Sequence, residues 1–296
     1  MTIETIDVVR VQGALGAEIR GLDIAAGVGD EAVRAIAAAW RDNLVVVFRN
    51  QHIDDDQLIA FSQLFGELDP PGPNPHGGPI YPQYPMLNVI SNIVENERPI
   101  GNLGAGEAVW HADMTYNDIP PKGALLYAVE LPEAGGNTQF ANMRSAYDAL
   151  AGDTKQRIDG LCAIHDSSTN SAGMRRKGYE PVTDVRKTPG ARQPLVRIDP
   201  VTNRRSLFLG RRPRSYVPGF DVAESERLLD ELWAHATQEK FVLTHQWVPG
   251  DLVLWDNLSV LHRRDEFDAG ARRRLHRAQL KGDGPIYGCN TNSGAT

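Results

Sequence analysis

Cysteine is scarce in this chain, and long apolar runs are absent. Its 296 residues include only Cys162 and Cys289, and their spacing indicates neither a disulfide framework nor a cysteine metal site, which fits a reducing compartment. The apolar run at 124–129 is far too short to span a bilayer. Acidic residues interrupt the N-terminal sequence MTIETID early, so no signal-peptide core is present there. We therefore expect a cytoplasmic protein with no membrane partner.

Positive charge is also in deficit. The chain has 31 basic and 38 acidic residues, for a formal net charge of -7, which argues against a nucleic-acid partner. We interpret the local arginine clusters, except Arg273, as solvated surface; they comprise Arg211, Arg212, Arg214, Arg272 and Arg274. Hydrophobic residues make up 41% of the chain and charged residues 23%, which permits a sizeable core.

Many short apolar segments, separated by turn residues, predict β-strands. They lie at 7–24, 44–48, 86–90, 123–130, 161–165, 195–199, 206–209, 241–247, 251–255 and 273–280. Such a series with Gly and Pro turns is typical of a sandwich or barrel and not of a parallel sheet. No internal repeat or linker divides the chain, so we expect a single domain over 1–296.

Three helices interrupt the strands, and one polar segment stands out. We predict helices over about 31–41, after Asp54 with Gln57 as its capping-box partner, and after Asp221 with Glu224 in the same relation. The segment 167–193 is long, polar and glycine-containing. Such loops are usually disordered or functional, and we interpret this one as a lid-like insertion.

The motif Trp110-His111-Ala112-Asp113 carries the strongest chemical signal. In a strand, residues two apart point to the same face, so His111 and Asp113 could reach one metal. His262 lies beyond the run that ends at Trp255 and could arrive from another strand. Two imidazoles and one carboxylate form the facial ligand set of iron(II) oxygenases. The alternative is that His111 is a buried structural histidine and Asp113 a turn residue.

Arg273 is the candidate for holding a cosubstrate. An iron oxygenase of this kind needs two extra electrons, which a 2-oxo acid can supply, and the acid's far carboxylate needs a fixed cation. A guanidinium offers a planar fork that matches a carboxylate, and Thr138 could add a hydroxyl donor. Arg273 and Arg277 are separated by an even number of residues and would share one face of a strand.

Together these motifs resemble those of the taurine dioxygenase and 2,4-dichlorophenoxyacetate dioxygenase (TauD/TfdA) family of iron(II)/2-oxoglutarate enzymes. The matching pieces are collinear over nearly the whole chain: 13–19, 49–51, 61–68, 110–116, 120–121, 135–138 and 249–277. The segments 141–150 and 223–232 are also similar to enantiomer-specific aryloxypropionate dioxygenases. The resemblance implies a mainly β fold with flanking helices, namely a double-stranded β-helix or jelly roll.

The resemblance also implies roles for individual residues. It gives iron(II) to His111, Asp113 and His262, and the 2-oxoglutarate carboxylate to Thr138 and Arg273. With O2, such an enzyme hydroxylates an unactivated C–H bond while 2-oxoglutarate becomes succinate and CO2. Residues expected at the substrate are Arg277, Tyr116, Met114 and His76. We expect the partner to be a small organic acid, with an aryloxyalkanoate favoured, and the protein to form a homo-oligomer.

One departure from the family pattern bears on the substrate. Taurine-type members carry a substrate-binding histidine shortly after the sequence Phe-Gly-Glu-Leu, but here no histidine follows 65–68 until His76. Taurine itself is therefore not the expected substrate, although a sulfonate remains a second candidate. A halogenase is a further hypothesis, but Asp113 argues against it because halogenases lack the carboxylate ligand. The last hypothesis is a metal-binding jelly-roll protein without turnover.

Overall fold

The computed structural model describes residues 6–72, 81–104 and 108–289. Its strands run in order as β1 Asp7–Arg10, β2 Ala17–Arg20, β3 Val45–Phe48, β4 Leu68–Asp69, β5 Leu87–Ser91, β6 Val94–Glu95, β7 Arg98–Pro99, β8 Asn102–Leu103, β9 Ala108–His111, β10 Gly123–Glu130, β11 Thr138–Asn142, β12 Cys162–Ile164, β13 Arg192–Pro194, β14 Val196–Ile198, β15 Arg205–Leu207, β16 Val242–His245, β17 Leu252–Asp256, β18 Val260–Arg264 and β19 Arg274–Leu280. The α-helices are α1 Asp30–Asn43, α2 Asp55–Gln63, α3 Met143–Asp148, α4 Gly152–Ile158 and α5 Val222–Ala236. Short 3-10 helices cover Ile24–Ala26, Val185–Lys187 and Glu239–Phe241.

Two sheets form the scaffold. The larger has the order β1-β2-β3-β17-β10-β19-β5-β8, with β4 also paired to β19, and the smaller has the order β16-β11-β18-β9. Most pairings within both are antiparallel; β2 with β3 and β5 with β8 are parallel. The fold is the predicted jelly roll with flanking helices.

Strand β17 shows how the sequence pattern builds this architecture. Its successive side chains point to opposite faces. Leu252 and Leu254 enter a core with buried residues of α1 and α2, whereas Val253 and Trp255 enter a second core with Phe140 of the smaller sheet. Because both faces are covered, the strand is apolar from Leu252 to Trp255. The second core lies between the two sheets and forms the inner wall beside the candidate site.

A third core joins the remaining helices to the smaller sheet. Leu228, Leu229 and Leu232 of α5 pack there with buried residues of α3 and with Leu261 of β18. Their spacing is that of the apolar stripe of an amphipathic helix. The predicted start at Asp221 is confirmed, but its side chain accepts a hydrogen bond from the Ala223 backbone N–H and not from that of Glu224, the predicted partner. The capping box of Asp54 and Gln57 at α2 is also present.

The apolar patterns identified most strands, but three at the site escaped them. Strands β9, β11 and β18 mix apolar with polar side chains because one face of each carries polar groups toward the cavity walls. Thr138 of β11, for example, is a buried polar residue that faces such a cavity. Apolar alternation therefore fails in the three strands that carry His111, Thr138 and His262.

The prediction that Cys162 and Cys289 stay apart is wrong. The structure joins them in a disulfide across 127 residues of sequence. Cys162 pairs with Pro194 across β12 and β13, and Gly288 lies against that same proline. Tertiary packing of the last described segment creates the pair, and no local spacing records it. The expectation of a reducing compartment loses this support.

None of the helices in the described part of the chain is both long and apolar enough to cross a membrane.

Candidate functional site

The pairing of β9 with β18 brings two histidines together. The two strands are antiparallel, with His262 directly opposite His111, and the ring centroids are 4.1 Å apart. His111 Nδ1 lies 2.7 Å from the Val109 carbonyl oxygen. Because a carbonyl only accepts, Nδ1 carries the proton and Nε2 is left as the unprotonated nitrogen that a metal can bind.

Asp113 reaches the same place by a different route from the one predicted. Strand β9 ends at His111, so Asp113 lies beyond it in a turn, and Met114 follows with a φ of 49°. Strand alternation is therefore not what aligns His111 with Asp113. Instead, Asp113 N donates to Asn257 Oδ1 at 2.7 Å, and Asn257 Nδ2 donates to the Asp113 carbonyl at 2.9 Å.

Asn257 is a functional residue that the sequence reasoning missed. It is fully buried, and its Nδ2 also donates to the Pro121 carbonyl at 2.8 Å. One side chain thus holds both backbone groups of Asp113 and the loop that follows it. The only signal in the sequence is that Asn257 lies in the matching segment 249–277, where no hydrogen-bonding role was predicted for it.

The three predicted ligand side chains converge. The potential ligand atoms of His111, Asp113 and His262 lie within 4.8 Å of one another, and all three residues are buried. Asp113 Oδ1 is 3.7 Å from His111 Nε2, and Asp113 Oδ2 is 3.8 Å from His262 Nε2. This is the only group of metal-ligand type found among the residues that the structure describes.

The protonation states suit a cation. Burial lowers the pKa of His111, and it lowers that of His262 to about 3, with His111 contributing further. Burial alone would raise the pKa of Asp113, but Arg277 and the two imidazoles more than offset it, so the pKa lies below its usual value. Two neutral imidazoles and one carboxylate are the forms that bind a metal.

Arg277 pairs with the carboxylate at the centre of this cluster. Its Nη1 lies 3.0 Å from each oxygen of Asp113. Arg277 thus meets a protein carboxylate instead of standing free for a substrate. Arg277 belongs to β19 and is paired with Leu126 of the neighbouring strand β10. The guanidinium therefore already has an anionic partner.

One cavity beside the cluster contains the residues predicted for the cosubstrate. Thr138, Arg273 and Arg277 line it with His111 and His262. Arg273 is 1% exposed, and its Nη2 donates to the Gly136 carbonyl at 3.0 Å. Burial, with a smaller contribution from Arg264, lowers the pKa of Arg273 to about 9. A buried cation of this kind favours an anionic ligand.

Thr138 is held in one orientation by an indole. Trp247 Nε1 donates to Thr138 Oγ1 at 2.9 Å. A hydroxyl has one proton and two lone pairs, so this bond occupies a lone pair and leaves the proton free to be donated elsewhere. Thr138 and Arg273 thus form a donor set in the same cavity.

A second cavity lies on the other side of the ligand cluster. Met114, Tyr116 and Arg277, three of the predicted substrate residues, line it with His111 and Asp113. The fourth, His76, lies outside the described residues. Part of the segment 167–193 also forms the wall, through Asn170, Ser171 and Arg176. His276 lines neither of these two cavities. Its Nδ1 hydrogen-bonds to Asp55.

The prediction that Arg211 is solvated surface is wrong. Arg211 is 8% exposed and lines the second cavity. A β-bridge to His111 sets its backbone there, and its Nη2 donates to Asp166 Oδ2 at 3.1 Å and to Thr169 Oγ1 at 2.8 Å. Its run of neighbouring arginines suggested solvent exposure, whereas the ion-pair partner is distant in sequence. Arg212, by contrast, pairs with Glu226 and Asp230 near the surface.

A jelly roll with a buried two-histidine, one-carboxylate cluster is the architecture of a 2-oxoglutarate-dependent dioxygenase, and comparisons with known proteins agree. Residues 7–279 match the family described as "Taurine catabolism dioxygenase TauD, TfdA family". The chain belongs to this family.

Individual relatives cover almost the whole chain. It is 34% identical to an (S)-phenoxypropionate/alpha-ketoglutarate-dioxygenase of Sphingobium herbicidovorans, over 94% of this chain and 95% of the relative. It is 35% identical to an alpha-ketoglutarate-dependent 2,4-dichlorophenoxyacetate dioxygenase of Cupriavidus pinatubonensis, over 91% and 96%. The crystal structure of AAD-2 with Mn(II) and N-oxalylglycine superposes with a TM-score of 0.78 at 33% identity, over 96% and 100%. The chain is an enzyme of this reaction class, so a metal-binding protein without turnover is not supported.

Replacing Asn257 with Ala tests its positioning of Asp113. The change leaves buried backbone groups of Asp113 without partners, and removing such outer supports typically costs about 10–100-fold in metal affinity. We expect a loss of that size in a metal titration. Asn142→Ala is the matched control, because Asn142 is also a buried capping side chain but bonds to Ala14 and Ser145. Equal metal affinity in the two variants would contradict the role.

Proposed function

We propose that this protein is an Fe(II)- and 2-oxoglutarate-dependent dioxygenase that hydroxylates a small organic anion, with an aryloxyalkanoate-like carboxylate favoured. The observation that carries the proposal is the buried cluster of His111, Asp113 and His262 between two cavities, each lined by guanidinium groups. One cavity suits a 2-oxo acid and the other a second organic acid.

The residues present fit iron(II). His111 and His262 would supply Nε2 atoms and Asp113 an oxygen, which leaves one face of an octahedral ion open. When bound, iron(II) and 2-oxoglutarate supply the oxidising chemistry with O2, and 2-oxoglutarate is converted to succinate and CO2. The protein's part is to hold these groups: Val109 sets the His111 tautomer, and Asn257 holds Asp113.

Arg273 and Thr138 would bind the far carboxylate of 2-oxoglutarate. Arg273 Nη2 is anchored on Gly136, while its Nε is buried without a partner in the described part of the protein. A carboxylate could accept bonds from this guanidinium and from the proton that Trp247 leaves free on Thr138. Burial in the cavity strengthens the attraction, because there is little water to screen it.

The charge of the second cavity supports an anionic substrate. Three guanidiniums line it, those of Arg176, Arg211 and Arg277, against the two carboxylates of Asp113 and Asp166. A metal bound to Asp113 would raise this positive excess further. The relatives that act on phenoxypropionate and 2,4-dichlorophenoxyacetate, both carboxylates by name, agree with this class.

A sulfonate is the second candidate, because the same guanidiniums would accept it. The lid role of 167–193, the substrate contacts of Tyr116, Met114 and His76, a single domain over 1–296, a homo-oligomer and a cytoplasmic location stay predictions.

Replacing Asp113 with Ala tests the metal centre. The variant loses the only carboxylate of the cluster and places Arg277 beside the bound cation without its partner. We expect loss of hydroxylation and of tight iron(II) binding, measured by succinate release and by equilibrium dialysis. Asp118→Ala serves as control because Asp118 is exposed. Full activity with unchanged iron occupancy in Asp113→Ala would sink the assignment.

Replacing Arg273 with Ala tests the cosubstrate site. A charge-assisted bond contributes about 1.5–3 kcal/mol, which corresponds to roughly tenfold or more in the 2-oxoglutarate KM at about 1.4 kcal/mol per decade. Arg274→Ala is the control, since the neighbouring guanidinium faces Glu130 at 3.7 Å and is 35% exposed. A KM unchanged from that of the wild type would refute the role.

The substrate class is tested with paired acids and neutral analogues. Phenoxyacetate, 2-phenoxypropionate and an alkylsulfonate are compared with the methyl esters of the two acids, and succinate release is read above the uncoupled background. We expect the carboxylates to be turned over at least about tenfold more efficiently than the esters, because the esters leave the cavity cations without a counter-charge. Equal turnover of acids and esters would remove the anion hypothesis.

A further inference from the structure

Three guanidiniums line the second cavity, but they are not equivalent. Arg277 faces both oxygens of Asp113 at 3.0 Å, and Arg211 faces Asp166 at 3.1 Å. Arg176 has no carboxylate partner anywhere in the residues described. The cavity's uncompensated positive charge therefore belongs to Arg176.

Asp166 cannot compensate this charge. Its two oxygens already accept from Ser168 and Thr169 as well as from Arg211. Arg214 Nη1 also lies 3.8 Å from Oδ2. One carboxylate thus stands against two nearby guanidiniums, which adds to the positive excess at this end of the cavity.

The Arg176 side chain is nevertheless held in place. Its backbone N donates to the Ser168 carbonyl at 2.8 Å, and its Nη1 donates to the Ser167 carbonyl at 2.9 Å. The guanidinium carbon lies 4.1 Å from the centroid of the Tyr116 ring. A cation over an aromatic face within about 6 Å is attracted by the ring. These contacts restrict the side chain before any ligand arrives.

The same contacts leave part of the guanidinium unused. Within the described ranges, Nη1 is the only side-chain nitrogen of Arg176 that makes a hydrogen bond, and Nε is buried without a partner. Nε and Nη2 together form the edge that pairs with a carboxylate through two parallel bonds. A buried donor without a partner is costly, so an anion accepted there would relieve the cost.

We propose that Arg176 is a specificity-determining residue that binds the acidic group of the primary substrate, a role that rests on the proposed function. The carboxylate then lies at the wall formed by 167–193, and the remainder of the molecule extends past Tyr116 toward the ligand cluster. Tyr116 supports the guanidinium with its ring face and flanks the path of the substrate.

Arg277 is less suited to this role. Its guanidinium already pairs with Asp113, and Asp113 is the carboxylate of the candidate metal centre. A substrate acid that bound Arg277 through Nη1 would compete with Asp113 for that guanidinium, which orients the Asp113 carboxylate. The Nε of Arg277 is also buried without a partner, but its Nη1 is held by both oxygens of Asp113. Arg277 is therefore a positioning residue for Asp113, and Arg176 is the guanidinium of this cavity that has no carboxylate partner among the described residues.

The test compares Arg176→Met with Arg175→Met. Arg175 is adjacent in sequence and exposed, so its loss controls for the change in net charge. Dissociation constants for 2-phenoxypropionate and its methyl ester are measured by calorimetry without O2, with enzyme loaded with metal and 2-oxoglutarate. We expect Arg176→Met to weaken acid binding about tenfold or more, because a charge-assisted pair is lost, and to leave ester and 2-oxoglutarate binding unchanged.

Arg176→Lys gives a second measure that does not depend on removing the cation. It keeps the charge but not the planar fork, so its preference for acid over ester should lie between those of Arg176→Met and the wild type. If Arg176→Met does not fold, the preference of Arg176→Lys for acid over ester is the deciding measurement. A preference equal to that of the wild type would overturn the proposal.

The outcomes separate the role of Arg176 from the proposed function. If the wild type prefers acids and Arg176→Met keeps that preference, Arg176 has no such role while the function stands. If Arg176→Met weakens acid and ester equally, the residue shapes the cavity only, which also overturns the proposal. If the wild type binds 2-phenoxypropionate no more tightly than its methyl ester, both the anionic substrate class and the role of Arg176 fall together.

Discussion

The antiparallel pairing of β9 with β18 is the constraint on which the site depends. It sets His262 opposite His111, with a register irregularity between His262 and Arg264, and a slip of one residue at the histidine pair would turn one imidazole away. Asn257, at the end of β17, then brings Asp113 to the same point by bonding its backbone groups. The two cores on either side of β17 keep these strands in place. A rigid frame thus presents three ligand side chains that belong to no continuous motif.

Burial makes each charge in this frame consequential. Removing water disfavours protonated imidazole, and the pKa of His262 falls to about 3, so the histidines stay neutral. The carboxylate of Asp113 remains ionised because Arg277 and the imidazoles outweigh the cost of burial. Arg273 is buried in the neighbouring cavity without a carboxylate in the described residues, and the pKa of its guanidinium is lowered to about 9. The protein bears this cost where a dianionic cosubstrate would offset it.

The sequence predicted the chemistry better than the geometry. His111, Asp113 and His262 were found from spacing, and Arg273 from the need for a cation, because such ligand sets restrict residue type strongly. The route of Asp113 was predicted wrongly, since a hydrogen bond from Asn257, distant in sequence, replaces strand alternation. Arg211 was taken for surface because its ion-pair partner, Asp166, is also distant. The disulfide escaped for the same reason. Local patterns record periodicity and residue type, whereas pairing between remote segments exists only after folding.

The residue that recognises the substrate could not be predicted from sequence patterns, because it depends on which arginines pair with protein carboxylates. Each arginine near the ligand cluster would suit an anion when judged by residue type alone. The structure distinguishes them by their partners: Arg277 pairs with Asp113 and Arg211 with Asp166, whereas Arg176 rests on Tyr116. Arg277 belongs to β19, and the backbone of Arg211 forms a bridge to His111 of β9. Arg176 belongs to the segment 167–193 instead. A cation carried by a loop outside the two sheets can be replaced without disturbing the ligand cluster that the sheets hold, because loops tolerate change better than the elements they connect.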